Sequence, residues 1–287
     1  MFAIDRKDAE YQTYILSDRA ADSSLEVVPE RGGIITRWQA GGHSMLYLDS
    51  ERFANPELSI RGGIPILFPI CGNLPDNTYI DGDTSYTLKQ HGFARDLPWT
   101  VTQSAIEDCA SLTLTLESND STYAVYPFDF RLVFTYRLKG KTLEISQRHI
   151  NLSDRMMPFS TGLHPYFQVS DKTQLQFDIP SNQYWDQKKH ATETFNGRFD
   201  FDLDEIDVAF GSLTRQSATV KDPSRNIALT MEYNSLYSRV VFWTVKGKDY
   251  YCIEPWSGPR NAINTGENLI QLHPNSSLTT LVRFVVH

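Results

Sequence analysis

Two histidines, one glutamate and two arginines stand where the chain breaks its own local pattern. His164 lies in FSTGLHPYFQVS, between a Gly-Leu pair and a proline, with aromatic residues following. Pro165 biases the residue before it toward extended backbone, which would fix the direction of the imidazole. His91 precedes a glycine in LKQHGFARDLPW, and Arg95 follows in the same stretch. Arg61 opens RGGIPILFPICGNLPDN, where Gly62, Gly63, Pro65, Pro69 and Pro75 bend an apolar run. Glu254 ends the apolar run YYCIE, and Pro255 stops it. Each has a plain reading and a chemical one. Glu254 is either a satisfied strand-end carboxylate or a base in a partly dry site, where burial raises its pKa toward neutrality. Arg61 is either a solvated side chain before a bend or a fork of donors aimed at hydroxyl or phosphate oxygens. His91 is either a polar residue near a turn or part of the same site. Local rules fail preferentially at functional sites, so these residues suggest one site gathered from distant segments.

Other chemistries fit less well. A facial triad for iron usually begins with a close His-x-Asp/Glu pair. Here His91 is followed by Gly-Phe, His149 by Ile-Asn and His164 by Pro-Tyr, so no metal is expected. There is no G-x-S-x-G elbow for a serine nucleophile. Glycoside hydrolysis would need a second carboxylate across the cleft, which the sequence does not clearly supply. The net charge of -8 argues against nucleic-acid binding. It does not argue against a small anion, since a few local arginines suffice to hold one. Cys71, Cys109 and Cys252 are odd in number and far apart, and they read as buried free thiols. The N-terminal MFAIDRKDAEYQTYILSD has charges from Asp5 onward and does not read as a signal peptide. No segment approaches the roughly 20 apolar residues of a membrane helix. A cytoplasmic protein without a membrane association is expected.

The segments that must position these residues read as strands. Ser111–Ser118 alternates Leu and Thr at period two, and Phe130–Ser153 reads as two strands joined at LKGKT. Arg239–Pro255 reads as a hairpin and Ser277–His287 as a final strand. Asp202–Leu213 would hold a helical turn at most. Many short strands without a linker or repeat predict an all-β sandwich or barrel, with residues 1–287 as a single domain. Trp243, in an alternating strand, reads as core, whereas Trp256, just after Glu254-Pro255, could wall a pocket.

RGGIPILFP, HGFAR, YPFDFRLVFTYRL, TGLHPYF and IEPWSGPRNAIN occur in this order. Together they resemble the aldose 1-epimerase (galactose mutarotase-like) family, and in particular its hexose-6-phosphate mutarotase (glucose-6-phosphate 1-epimerase) branch. The resemblance implies a β-supersandwich of antiparallel sheets and interconversion of the α and β anomers of a hexose or hexose 6-phosphate. It implies no metal and no organic cofactor. The partner would be a small sugar or sugar phosphate, and the protein a monomer or weak homodimer. By the same resemblance Glu254 is the catalytic base, His164 the acid and His91 a second active-site histidine. Arg61 and Asp207 would bind substrate, with Asp204 or Glu205 as alternatives to Asp207. Arg95 is similar to an arginine of the phosphosugar branch. The family's Pro-Gly-Glu near the C-terminus is replaced here by LHPNSSLTT, a departure that bears on the branch. A carbohydrate-binding protein that keeps the fold without catalysis is the alternative.

Overall fold

The computed structural model describes residues 1–8 and 10–287. Four stretches alternate apolar and polar side chains at period two and form long neighbouring strands. These are Ala110–Glu117, Phe130–Lys139, Thr142–Asn151 and Ser277–Val286. They pair antiparallel inside a sheet of eight strands. The alternation sends Leu112, Leu114, Phe134, Tyr136, Ile145 and Phe284 to one face, where all are buried. Burying each such side chain contributes about 1.5–3 kcal/mol.

A second sheet of eight strands carries, side by side, Gln183–Asp186, Glu205–Phe210, Arg239–Val245 and Tyr250–Trp256. Ile206, Val208, Phe210, Val240, Phe242, Tyr251 and Ile253 join the same buried cluster as the first sheet's apolar face. The core therefore lies between the two sheets, with a five-stranded N-terminal sheet, Phe2–Asp8 to His43–Ser44, beside it. The other face of the second sheet holds Asp207, Val241, Trp243 and Glu254, which alternate with the core residues.

The all-β architecture and the four strand regions match the sequence reading. Two local expectations do not hold. Asp202–Leu213 contains a strand, Glu205–Phe210, rather than a helical turn. Ile206, Val208 and Phe210 alternate with Glu205, Asp207 and Ala209, and the acidic residues before them hide that period. Trp243 is buried as expected, in a satellite apolar cluster with Tyr166, Tyr250 and Cys252 on the sheet's other face, where it also lines a cavity. Of the cysteines, Cys71 and Cys252 are buried while Cys109 is only partly covered. The helices Ser50–Ala54, Asp120–Tyr123 and Ala262–Thr265 are single turns. No helix among the described residues is long and apolar enough to cross a membrane.

Candidate active site

His164 and Glu254 come together through strand register. Gly162 pairs with Trp256 and Tyr166 with Cys252 on one antiparallel ladder, so residue 164 falls opposite residue 254. Directly opposed residues share a face of the sheet. His164 Nε2 lies 3.4 Å from Glu254 Oε1. The His164 backbone N–H donates outward to the Pro65 carbonyl, at 3.0 Å. The imidazole stacks on Tyr166, with centroids 4.7 Å apart and 12° between the rings. Glu254 is further fixed by Trp256, whose Nε1–H donates to Oε2 at 2.9 Å.

The bend after Arg61 is enforced by close approach of backbone. Gly63 has φ +63°, and a Cβ there would lie 2.3 Å from the Ile35 carbonyl oxygen. Its N–H donates to Tyr47, and its carbonyl accepts from Tyr166 N–H at 2.9 Å. The stretch that presents Arg61 is thereby tied to the one that presents His164. The Arg61 guanidinium lies over the Trp243 ring, 5.2 Å from its centroid.

His91 adopts φ +68° beside Gly92. Its N–H donates to the Gly72 carbonyl at 2.7 Å, and Gly72 N–H donates to its Nδ1 at 3.1 Å. A nitrogen that accepts a hydrogen bond carries no proton, so neutral His91 holds its hydrogen on Nε2. Its ring is 5.4 Å from that of His164 and 5.6 Å from that of Trp256. Arg95 Nη2 donates to the Gln90 carbonyl at 2.8 Å, while its buried Nε has no partner.

Arg61, His91, Arg95, His164, Asp207, Glu254 and Trp256 all line one cavity of about 220 Å³. Sequence reasoning left Asp204, Glu205 and Asp207 as alternatives. Asp207 and Glu205 line the cavity and Asp204 does not. Glu205 is engaged by Lys188 and by Trp243 Nε1–H, the latter at 2.8 Å. Asp207 receives two bonds from Arg260 Nη2, of 2.7 and 3.0 Å. Arg260 also donates to Asn73 Oδ1 at 2.7 Å and lies over the Trp256 ring. Arg260 and Trp243 were not singled out as site residues from sequence. Arg260 follows Gly258-Pro259 in a loop, which gives no sign of the carboxylate it meets.

Burial sets the electrostatics. It pushes the Glu254 carboxyl well above its ordinary pKa, against the Trp256 hydrogen bond and the nearby Arg260 and Arg95. It pulls His164 down to about 3, helped by Arg95, Arg61 and Arg260. His91 is lowered well below its ordinary value, first by burial and then by Arg95. The Asp207 carboxyl is raised by burial even though Arg260 opposes the shift. Neither Arg61 nor Arg95 forms an ion pair with a carboxylate among the described residues.

One trio has the composition of a metal site. His164, Cys252 and Glu254 each offer a ligand atom, all within 4.8 Å of one another. It is not the triad of two histidines and a carboxylate considered from sequence. Burial holds the Cys252 thiol and the Glu254 carboxyl toward their protonated forms, so a cation would have to displace both protons.

A family model for aldose 1-epimerase matches residues 15–284. The Slr1438 protein of Synechocystis sp. PCC 6803 has a solved structure that is 47% identical to the chain, with a TM-score of 0.95 over 100% of this chain and 99% of that one. A galactose 1-epimerase from Lactobacillus acidophilus NCFM shares the fold at 17% identity, with a TM-score of 0.77 over 100% of this chain and 98% of that one. A protein of Escherichia coli (strain K12), provisionally named a glucose-6-phosphate 1-epimerase, is 30% identical over 166 residues, 57% of this chain and 51% of that protein. The chain thus spans about half the length of the first curated relatives it matches, 51% and 54% of two of them. With the family model matched from the N-terminal sheet to the last strand, the chain belongs to the aldose 1-epimerase family.

Proposed function

We propose that the protein is an aldose 1-epimerase that interconverts the anomers of a hexose or hexose 6-phosphate by acid–base opening and closure of the sugar ring. The observation that carries this reading is the 3.4 Å approach of His164 Nε2 to Glu254 Oε1 at the wall of the cavity. Ring opening removes a proton from the C1 hydroxyl and delivers one to the ring oxygen. Both oxygens sit on the same carbon, so a base and an acid in mutual contact can reach them together. Glu254 takes the hydroxyl proton and His164 supplies the ring-oxygen proton. After the new carbonyl turns, the same two groups return the protons with their roles exchanged.

The pKa shifts leave the resting proton on Glu254, and its passage to His164 sets up these roles. A carboxylate whose pKa is raised is a stronger base, and an imidazolium whose pKa is lowered is a stronger acid. The pair has the same net charge as carboxylate plus imidazolium or as carboxylic acid plus imidazole. One proton moving between the groups exchanges these forms, so the pair titrates as a unit. Neutral His91 presents a donor, and Arg61 and Arg95 present positive charge, for the oxygen that becomes negative in the transition state. Asp207 accepts from sugar hydroxyls, and Trp256 walls the ring while orienting Glu254.

The phosphosugar form of the reading rests on Arg61 and Arg95, two guanidinium groups at one cavity without a carboxylate partner. A phosphate would supply the missing charge in bidentate form. The test is anomer-exchange NMR on glucose, galactose and glucose 6-phosphate side by side. Exchange faster than in buffer for at least one sugar is expected. A sugar that binds while its anomers exchange at the buffer rate would replace the epimerase with a binding protein.

A further inference from the structure

The wall of the cavity that carries Arg61 is one half of a closed loop. Asp49 N–H donates to the Arg61 carbonyl at 2.9 Å, and Leu48 bridges Gly62, so the two ends of the loop 49–61 meet. Surface loops closed at their ends in this way keep their shape through the side chains that fill them. The first half holds the single-turn helix Ser50–Ala54, capped by Asp49, whose carboxylate accepts from Arg52 N–H at 3.1 Å. The second half brings Ser59, Ile60 and Arg61 to the cavity.

Arg31 enters this loop from the N-terminal sheet, where the turn Pro29–Arg31 joins the strands Ser23–Val28 and Ile34–Ala40. The side chain is buried. Its Nη2 donates to the carbonyls of Asn55, at 3.3 Å, and Leu58, at 3.4 Å. Those residues bound a turn closed by Leu58 N–H on the Asn55 carbonyl, and the turn leads directly into Ser59–Ile60–Arg61. The guanidinium also lies over the rings of Tyr11 and Phe53, 5.8 and 6.0 Å from their centroids. The two rings meet edge-on at 5.5 Å, and Tyr11 O–H donates to the Ala54 carbonyl at 3.3 Å. Arg31 Nε has no partner, and no carboxylate among the described residues pairs with this side chain. Burying such a charge is costly, and an apolar side chain of similar volume often serves stability as well or better. What the guanidinium adds is a tie to both ends of the turn that precedes Arg61.

The turn that carries Arg31 is itself fixed. The Pro29 carbonyl accepts from Gly33 N–H at 3.1 Å and from Trp99 N–H at 2.9 Å, and the Gly33 carbonyl accepts from the Tyr136 hydroxyl at 2.7 Å. Gly32 has φ +77°, and a Cβ there would lie 2.0 Å from the Arg95 carbonyl oxygen. The turn is therefore seated on the core and on the backbone of one cavity arginine, while its side chain reaches the loop of the other. We propose that Arg31 is a positioning residue: without lining the cavity, it sets the place of Arg61 there and so the affinity for substrate. This rests on the reading that Arg61 binds the substrate. Glu254 and His164 keep their register on a separate ladder, so Arg31 acts on affinity and not on the chemical step.

The experiment combines deuterium uptake by the amides of 49–61 with anomer exchange of glucose and glucose 6-phosphate. Arg31→Met keeps an apolar stem between Tyr11 and Phe53 and removes the two ties, and Arg31→Lys keeps the charge and a donor. Arg31→Met should melt close to wild type and take up deuterium faster in 49–61, with Tyr250–Trp256 unchanged. KM for the better of the two sugars should rise about tenfold, with kcat within about twofold of wild type. Arg31→Lys should recover part of the loss, and Arg31→Met should add nothing in an Arg61→Ala background. Unchanged uptake in the loop, an unchanged KM, a loss confined to kcat, or an equal loss with Arg61 already removed overturns the positioning role. If wild type exchanges the anomers of neither sugar, the epimerase reading fails and the calorimetric Kd for glucose 6-phosphate takes the place of KM. Binding that weakens in Arg31→Met only while Arg61 is present then still supports the role of Arg31, and binding that is absent or unaltered overturns it.

Discussion

Glu254 and His164 face one another because the ladder that pairs Gly162 with Trp256 and Tyr166 with Cys252 makes them opposite members. The contact of 3.4 Å is therefore a property of sheet register, not of flexible side chains reaching out. Removing either proton carrier should cost about 10²–10⁴-fold in kcat. Glu254→Gln and His164→Asn keep shape and hydrogen bonding, so thermal melting should show both variants folded. Groups that act as a unit give non-additive losses, so the double variant should be little worse than the weaker single one. Near-normal exchange rates in both single variants would remove the pair from the mechanism.

Arg95 is mostly buried, its Nε has no partner, and no carboxylate among the described residues pairs with it at contact distance. A phosphate on the sugar would answer the guanidinium charge. Arg95→Gln should raise KM for glucose 6-phosphate about tenfold to hundredfold, the scale of a charged hydrogen bond, and raise KM for glucose much less. An equal effect on both sugars would mean that Arg95 serves the sugar ring or the fold, and that the protein does not select for phosphate through it.

Gly72 connects two parts of the site. Its backbone exchanges both hydrogen bonds with His91, and it has φ +77°. A Cβ there would lie 2.5 Å from Arg260 Cγ. Gly72→Ala should therefore push Arg260 away from Asp207 and leave that buried carboxylate short of its partner. The positive φ adds a backbone cost of about 1–3 kcal/mol, readable as a lower urea midpoint. KM for the sugar should rise, and Arg260→Ala should produce the same change. Combining the two should add little, because they act through one contact. A stability loss without a KM change would confine Gly72 to the fold.

What the sequence disclosed follows from the kind of signal each residue leaves. Arg61, His91, His164 and Glu254 sit where glycine or proline interrupts an apolar run, and such interruptions are visible in one dimension. The fold's long strands were visible for the same reason, since Leu112, Leu114 and Leu116 repeat at period two. Trp243 reads as buried and is buried, but its second role as a cavity wall is hidden, because alternation shows that a residue is on one face without saying which face, and both faces of that strand are covered. Arg260 left no trace because its partners, Asp207 and Asn73, come from other segments and its room is made by an absent side chain at Gly72. The strand Glu205–Phe210 was hidden by the acids that precede it.

Stability should depend on pH through His149, which is separate from the proposed chemistry. It is fully buried, stacked on Phe159 at 4.9 Å, and bonded through Nε2 to Thr161 Oγ1 at 3.2 Å. Burial alone lowers its pKa from 6.5 to about 3. Between those values the unfolded chain binds a proton that the folded one refuses, so stability rises with pH across the window and is lost as pH falls. At pH 5 the loss from this residue is about 2 kcal/mol. His91 and His164, also lowered, act in the same direction. Glu254 acts in the opposite one: its raised pKa makes stability fall as pH rises above the ordinary carboxylate range. Urea midpoints measured at pH 7 and pH 5 separate the contributions. His149→Gln keeps a group able to bond Thr161 but cannot titrate, so its midpoint should fall less between the two pH values than that of wild type. An equal fall in both proteins would place the acid sensitivity elsewhere.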